Sequence, residues 1–412
     1  MVDTLVTRLP NELILEILRN RVLRPRDLVN CALVSRCYLD AVRERLYQLV
    51  QILAMKDWED ATSEDGEEEA ERMELSTETY KLTRSLVENP RLGKLVRELR
   101  FRVGGGYGSR AELLHSTVAI TPDATILTFL QLAPDVDKVQ LDLTWPVSLD
   151  TLAVMSSQEN VKNLIIASLC EDEVRYVVEN LAHLQHLEVW TFREPLPQER
   201  PDGLNSSKTL TSLCCRDHVR GQQLPLLTSS SSILRRLQAN TFVTRDIQYS
   251  LQELEVLTPM QGPLLNRIGA AYNSREIWKA VCESRSLVRL SFAAETSYPD
   301  TTDDLTTWID GDPTWPRTPI PTLRILEFKG NMNLFRIRRL LASPLVTTLT
   351  RLVVPSRLAS PRESLDPSEV LVLEAIRGMC EGTGIELYLA DDLGKNSYVP
   401  LWSGQGSAHR SS

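Results

Sequence analysis

Protein chemistry needs an acid, a base, a nucleophile, a set of metal ligands or a phosphate cradle, and each demands particular residues at particular spacings. In this 412-residue chain the candidates are few. Gly104-Gly105-Gly106-Tyr107-Gly108 is rich in exposed backbone N–H groups, but no Lys-Ser or Lys-Thr follows at phosphate-loop spacing, so it reads as a connection after a strand. Asp300, Asp303, Asp304, Asp310 and Asp312 are crowded together without the distal Glu that completes a calcium loop. His115, His183, His186, His218 and His409 form no pair at metal-ligand spacing. The seven cysteines include no C-x-x-C pair. Cys214 and Cys215 adjoin on an expected strand, where successive side chains point to opposite faces, so one should be core and the other exposed. No metal, no cofactor and no catalytic constellation is expected, and the chain reads as non-enzymatic.

Composition narrows the partners. The net charge of −9 is local: ten acids face one base, Arg72, between Asp57 and Glu74, and removing that stretch leaves 45 acidic and 45 basic residues. No basic stripe is present for a phosphate backbone, so nucleic acid is not expected. No apolar run reaches the roughly 18 residues that span a bilayer, and the first residues lack a basic segment followed by an apolar block. With an odd number of cysteines, the reading is an intracellular protein, cytoplasmic and/or nuclear, with reduced thiols and no membrane contact.

The elements that would position any function fall into distinct stretches. Pro10 opens a first helix, where its missing N–H has no partner to lose, and Leu13, Ile14, Ile17 and Leu18 line one face. A second helix starts at Pro25 and Asp27 and carries Leu28, Cys31 and Ala32, and a third carries Tyr38, Ala41, Val42, Leu46 and Leu49. Three short helices bury too little surface to stand comfortably alone, so the unit should lean on the rest of the chain or on a partner.

Leu9-Pro10-x-Glu12-Leu13-x-x-x-Ile17-Leu18, then Asp27-Leu28, Cys31-x-x-Val34-Ser35, Tyr38 and Leu46-Tyr47, resembles an F-box. In that family such helices insert into the Skp adaptor of cullin–RING ubiquitin ligases. The resemblance therefore implies an adaptor-binding surface containing Leu9, Pro10, Glu12, Leu13, Ile17, Leu28, Val34 and Tyr38. Tyr38 stands where the family more often has Trp, a departure that keeps an aromatic there.

Downstream, (Leu/Val)-x-x-Leu-x-apolar recurs. It runs through Val96-x-x-Leu99-x-Phe101, Val136-x-x-Val139-x-Leu141, Val161-x-x-Leu164-x-Ile166 and Leu184-x-x-Leu187-x-Val189. Further copies centre on Leu213, Leu237, Leu254, Leu290, Leu326 and Leu352, with a weaker one at Leu387 and Leu389. Intervals between fourth positions are 40, 25, 23, 26, 24, 17, 36, 36, 26 and 35, several within the roughly 20–29 residues of a leucine-rich repeat and the rest leaving room for insertions. Helical periodicity fills Tyr80 to Glu88, Ile126 to Leu132, Glu173 to Leu181 and Arg275 to Cys282, with Pro90 and Pro134 just beyond two of them. Strand, turn, helix and return give a right-handed βα solenoid. This is similar to the irregular leucine-rich repeats behind many F-boxes, although the Asn regular in many such families is missing.

The expectation is thus an α/β chain, a three-helix F-box followed by a βα leucine-rich repeat solenoid. Residues 1–52 would form the helical module, 53–76 an acidic disordered linker, 77–392 the solenoid and 393–412 a flexible tail. With positions four and six of each repeat inward, positions three, five and seven present an open concave face, where Arg102, Trp190, Arg216 and Lys329 are candidate target contacts. The resemblance implies the substrate receptor of an Skp–cullin–F-box ubiquitin ligase holding an unidentified target protein. The alternative is a repeat scaffold unconnected with ubiquitin, its N-terminal helices only capping the array.

Overall fold

A computed structural model describes residues 13, 16–18, 23–34, 36–56, 73–75, 77–104, 122–143, 147–192, 209–215, 234–239, 251–257, 284–294, 320–330, 334–343, 346–355, 367–390 and 399–400. The chain divides into two compact units, Met1–Leu169 with Asn180–Leu184, and Cys170–Glu179 with Gln185–Ser412.

In the first unit, helix α1 (Pro25–Val34), a 3-10 turn (Arg36–Tyr38) and helix α2 (Leu39–Tyr47) gather around Leu18, Leu28, Ala41 and Val42, with Leu23, Cys31, Ala32, Tyr38 and Leu46 packed against them. Pro25 begins α1 as expected, and the backbone N–H groups of Asp27 and Leu28 both reach the Arg24 carbonyl. Strand β1 (Leu49–Lys56) follows at once. It pairs antiparallel with β2 (Met73–Leu75) on one side and parallel with β3 (Glu98–Gly104) on the other, and β4 (Lys138–Asp142) and β5 (Asn163–Leu169) continue the parallel order. Helices α3 (Thr77–Glu88), α4 (Pro90–Gly93), α5 (Pro122–Leu132) and α6 (Leu149–Ser157) separate the strands.

The sheet therefore begins at Leu49, inside residues expected to be helix and linker. Tyr47-x-x-Val50-x-Ile52 is a first copy of the strand pattern: Val50 aligns with Leu99 and Ile52 with Phe101, all buried. The sequence alone leaves this copy ambiguous, because Leu46 and Leu49 also fit a helical face. Strand β2 likewise falls within the expected linker, while 57–72, the core of the acidic stretch, lies outside the described residues.

Packing follows the register. Val50, Leu99, Val139 and Leu164 stand side by side, as do Ile52, Phe101, Leu141 and Ile166, and all are buried. Phe101 meets Phe129 of α5 edge to face, with ring centroids 6.1 Å apart. Gly93 lies so close to the Leu132 carbonyl that any side chain would collide with it. Ser148 caps α6 by accepting the Thr151 N–H at 3.1 Å, while Thr151 Oγ1 donates to Asp123 of α5 at 2.7 Å.

The second unit holds helix α7 (Glu171–Asn180) up to Glu179, and strands β6 (His186–Phe192), β7 (Ser212–Cys215), β8 (Arg236–Ala239), β9 (Glu253–Leu257), β10 (Arg289–Ala294), β11 (Ile325–Gly330), β12 (Arg351–Pro355) and β13 (Glu386–Ala390). Neighbours pair in parallel and in chain order, and β14 (Val399–Pro400) closes the edge antiparallel to β13. Part of the expected tail is thus strand. Helices α8 (Leu334–Leu341) and α9 (Pro367–Thr383) precede β12 and β13. Helix α9 stops at Gly384, whose φ of +74° suits a residue without Cβ, and Ile385 N–H returns to the Cys380 carbonyl at 2.8 Å. The helix expected over Arg275 to Cys282 lies outside the described residues.

Leu187, Leu213, Leu237, Leu254, Leu290, Leu326, Leu352 and Leu387 form one buried row, fourth position against fourth position. Ahead of the strands one carbonyl serves two donors of the next turn: Arg235 accepts from Gln252 and Glu253, Gln252 from Val288 and Arg289, and Val288 from Arg324 and Ile325. Hydroxyls carry the ladder where Asn is missing. Ser286 Oγ donates to the Leu251 carbonyl, Thr322 Oγ1 to Leu287 and Thr348 Oγ1 to Leu323, each at 2.8 Å. All three donors stand just before the first leucine of their copy, so one side-chain position ties each turn to the one before.

Candidate protein-interaction surfaces

The helical module buries one set of apolar side chains and shows another. Leu13, Ile17 and Val29 are about half exposed and Leu33 is 81% exposed. Leu13 and Ile17 are four residues apart, as are Val29 and Leu33, so each pair shares one side of a helical stretch. Among the expected adaptor contacts, Leu13 and Ile17 are in this exposed set. Leu28 is buried inside the module and Tyr38 packs against that core, so these two hold the helices together. Leu9, Pro10 and Glu12, and the side chain of Val34, lie outside the described residues. Val29 and Leu33 were missed. Their i, i+4 spacing, about 100° around the helix from Leu28 and Ala32, was the available signal, masked because α1 is apolar on both of these neighbouring faces.

On the outward strand face of the first unit, Glu98 receives Lys138 Nζ at 2.9 Å and Arg100 Nε at 2.8 Å. Burial alone would raise the Glu98 carboxyl; the hydrogen bonds and charges of Lys138 and Arg100 outweigh it and hold the carboxyl below the ordinary glutamate range. Arg102 lies 3.6 Å from Asp142 with 64% of its side chain exposed. Of the expected target contacts, Arg102 is therefore accessible.

In the second unit, Trp190 is half-buried and its indole Nε1 donates to Glu188 at 2.9 Å. Lys329 is in β11 beside Ala293, its side chain outside the described set, as is the whole of Arg216. His186 Nδ1 and Ser212 Oγ are 2.8 Å apart, and Glu188 is 4.0 Å from His186 Nε2. Nucleophile, base and acid are thus present in kind, but 4.0 Å is beyond hydrogen-bonding range, and a relay needs its base oriented by such a bond.

Further along, the fifth position was expected to be open. Instead Cys214, Glu255, Ser291, Glu327 and Val353 are buried, so both faces of these strands are covered. Charge is accommodated there by pairing. Arg289 Nη2 donates to Glu327 Oε2 at 2.6 Å and Nε at 3.2 Å, and Ser291 Oγ adds a third bond at 2.6 Å. Arg236 lies 3.8 Å from Glu253 and 3.9 Å from Glu255, and the Arg351 guanidinium sits 4.7 Å above the Tyr388 ring. Cys214 and Cys215 are both buried, correcting the expectation of one exposed thiol. Burial, with Cys214 adding to it, pushes the Cys215 thiol well up, and burial raises Cys380 to about 11.

Among the described residues no group of His, Cys, Asp and Glu is placed to hold a metal ion, and no helix is long and apolar enough to cross a membrane. Residues 6–50 match the F-box-like family, a stretch that contains α1, α2 and the exposed apolar set. No curated protein matches the chain. The F-box-like segment suggests a role in substrate recognition for ubiquitin ligases of the Skp–cullin–F-box type, whose F-box subunits are generally non-catalytic adaptors that bind Skp-type partners.

Proposed function

We propose that this chain is a substrate receptor of an Skp–cullin–F-box ubiquitin ligase, working in the cytoplasm and/or nucleus. The helical module docks the Skp-type adaptor, and a leucine-rich repeat-like array presents a target protein to ubiquitin-transfer subunits elsewhere in the assembly. Its contribution is proximity: holding the target near a catalytic centre that another subunit supplies. The observation that carries this reading is the coincidence of the F-box-like match with four exposed apolar side chains, Leu13, Ile17, Val29 and Leu33. Such side chains gain by leaving water when a partner covers them. Target capture is assigned to the strand face, with Arg102, Trp190, Arg216 and Lys329 as contacts.

The test is a titration of purified Skp-type adaptor against the wild type, Ile17→Asp, Leu33→Asp and the triple variant Leu9→Ala, Pro10→Ala, Leu13→Ala. Ile17 and Leu33 are exposed, so an acid there leaves the core intact while burying a charge in any complex. Each Asp variant should lose about 2 kcal/mol or more of binding, with an unchanged circular dichroism spectrum. A wild type that binds no adaptor overturns the receptor reading in favour of a scaffold.

A further inference from the structure

Of the 46 basic residues in the chain 37 are arginine and nine are lysine, and residues 1–55 hold eight arginines and no lysine. Charge does not choose between the two, since both are cationic at neutral pH, and neither does helix formation, in which they rank alike. What sets arginine apart is its planar fork, which suits two-pronged bonds and stacking on rings. Elsewhere in the chain that fork is used: Arg289 sets two nitrogens on Glu327, and Arg351 lies over Tyr388. In the helical module it is not. Arg24 and Arg26 flank the first residue of α1, Arg36 is in the 3-10 turn and Arg43 is in α2, and all four are exposed. Among the described residues Arg43 comes no closer than 3.9 Å to Asp40, and no side-chain hydrogen bond or ion pair engages Arg24, Arg26 or Arg36. Arg45, half-buried, donates a single bond to Gln48 at 3.0 Å, which an ammonium could make as well.

The remaining difference is in reactivity. A lysine ε-amine can attack the thioester that carries the C-terminal carboxyl of ubiquitin. The isopeptide C–N bond forms as the C–S bond breaks, and the sulfur leaves as a thiol with the proton the nitrogen gives up. A guanidinium stays protonated and offers no such nucleophile. We infer that arginine replaces lysine in the helical module to leave it without ubiquitin acceptors, so that self-modification falls on the repeat array instead. A subunit held beside a transfer centre meets activated ubiquitin at high effective concentration, whatever target it carries, and its own exposed amines compete with those of the target. Downstream such amines exist: Lys81, Lys94 and Lys162 are exposed.

The inference rests on the receptor reading, and its test keeps the two apart. Full-length protein is combined with Skp-type adaptor, cullin–RING subunits, activating and conjugating enzymes, ubiquitin and ATP, and adaptor binding is titrated on the same preparations. Wild type is compared with the quadruple variant Arg24→Lys, Arg26→Lys, Arg36→Lys, Arg43→Lys, and with the same four positions changed Arg→Gln. All four side chains are exposed, so the fold should hold, with circular dichroism as the check. The lysine variant should acquire ubiquitin several-fold faster than the wild type, with isopeptides mapped by mass spectrometry to the new lysines. The glutamine variant, which loses charge but gains no amine, should show no such rise. An unchanged rate in the lysine variant, or extra ubiquitin confined to the native lysines, overturns the inference. Weaker adaptor binding by the lysine variant also overturns it, because the guanidiniums would then serve the interface. Intact wild-type adaptor binding in those cases leaves the receptor reading standing. A wild type that binds no adaptor overturns the receptor reading, and this inference falls with it.

Discussion

Arg289 on β10 closes on Glu327 on β11, with Nη2 to Oε2 at 2.6 Å, and the carboxylate is 1% exposed. Removing one partner from such a pair leaves a charge stranded in a poorly solvated site. Glu327→Ala and Arg289→Ala should each destabilise the protein by about 3–5 kcal/mol, read as a lower urea midpoint. The double variant should cost clearly less than the sum, because the second substitution removes the charge the first has stranded. Strictly additive losses would show that the pair does not act as a unit.

The hydroxyl ladder makes a subtler prediction. Thr322 and Thr348 each donate to a backbone carbonyl of the preceding turn at 2.8 Å. Thr322→Val or Thr348→Val keeps the shape but leaves that carbonyl without its hydroxyl donor, which should cost about 1 kcal/mol apiece. Thr322→Ser, which keeps the hydroxyl, should recover most of the loss. Denaturant titration of the three variants decides it.

Glu98 links stability to acid. Its folded-state carboxyl lies below the ordinary glutamate range because Lys138 and Arg100 stabilise the charged form, although burial opposes them. A depressed folded pKa contributes stability above the unfolded value, and that stability drains away as pH falls through the folded one. Thermal unfolding between neutral and strongly acid pH should show a smaller fall in Tm for Glu98→Gln than for the wild type. Superimposable pH profiles would exclude this contribution.

Thiol reactivity should divide by burial. Cys215 is pushed well up by burial first and Cys214 second, and Cys380 stands at about 11 through burial and then Glu381. The thiolate is the reactive form, so brief alkylation at neutral pH should leave Cys214, Cys215 and Cys380 unmodified in the native protein. All three should react after unfolding. Mass spectrometry of the two samples measures it, and rapid native labelling of Cys380 would contradict its placement.

The sequence by itself determined the strand positions. From Leu99 to Leu387 the expected fourth positions fall on observed strands, because a side chain buried between layers must be apolar at every turn. It also determined the F-box-like segment, since the order of Leu, Pro, Glu and Ile in 6–50 is local information. The first strand, Leu49–Lys56, was ambiguous because a short apolar run fits either period, and only its pairing with β3 decides between them. Tertiary structure alone decided which outward positions are available. Alternation says that Arg100 and Glu327 both point away from the buried row. It does not reveal that the Arg100 side chain stays 39% exposed while Glu327 is enclosed with Arg289 and Ser291. The inward or outward direction of a side chain follows from the strand's own two-residue period, but what covers it comes from segments remote in the chain.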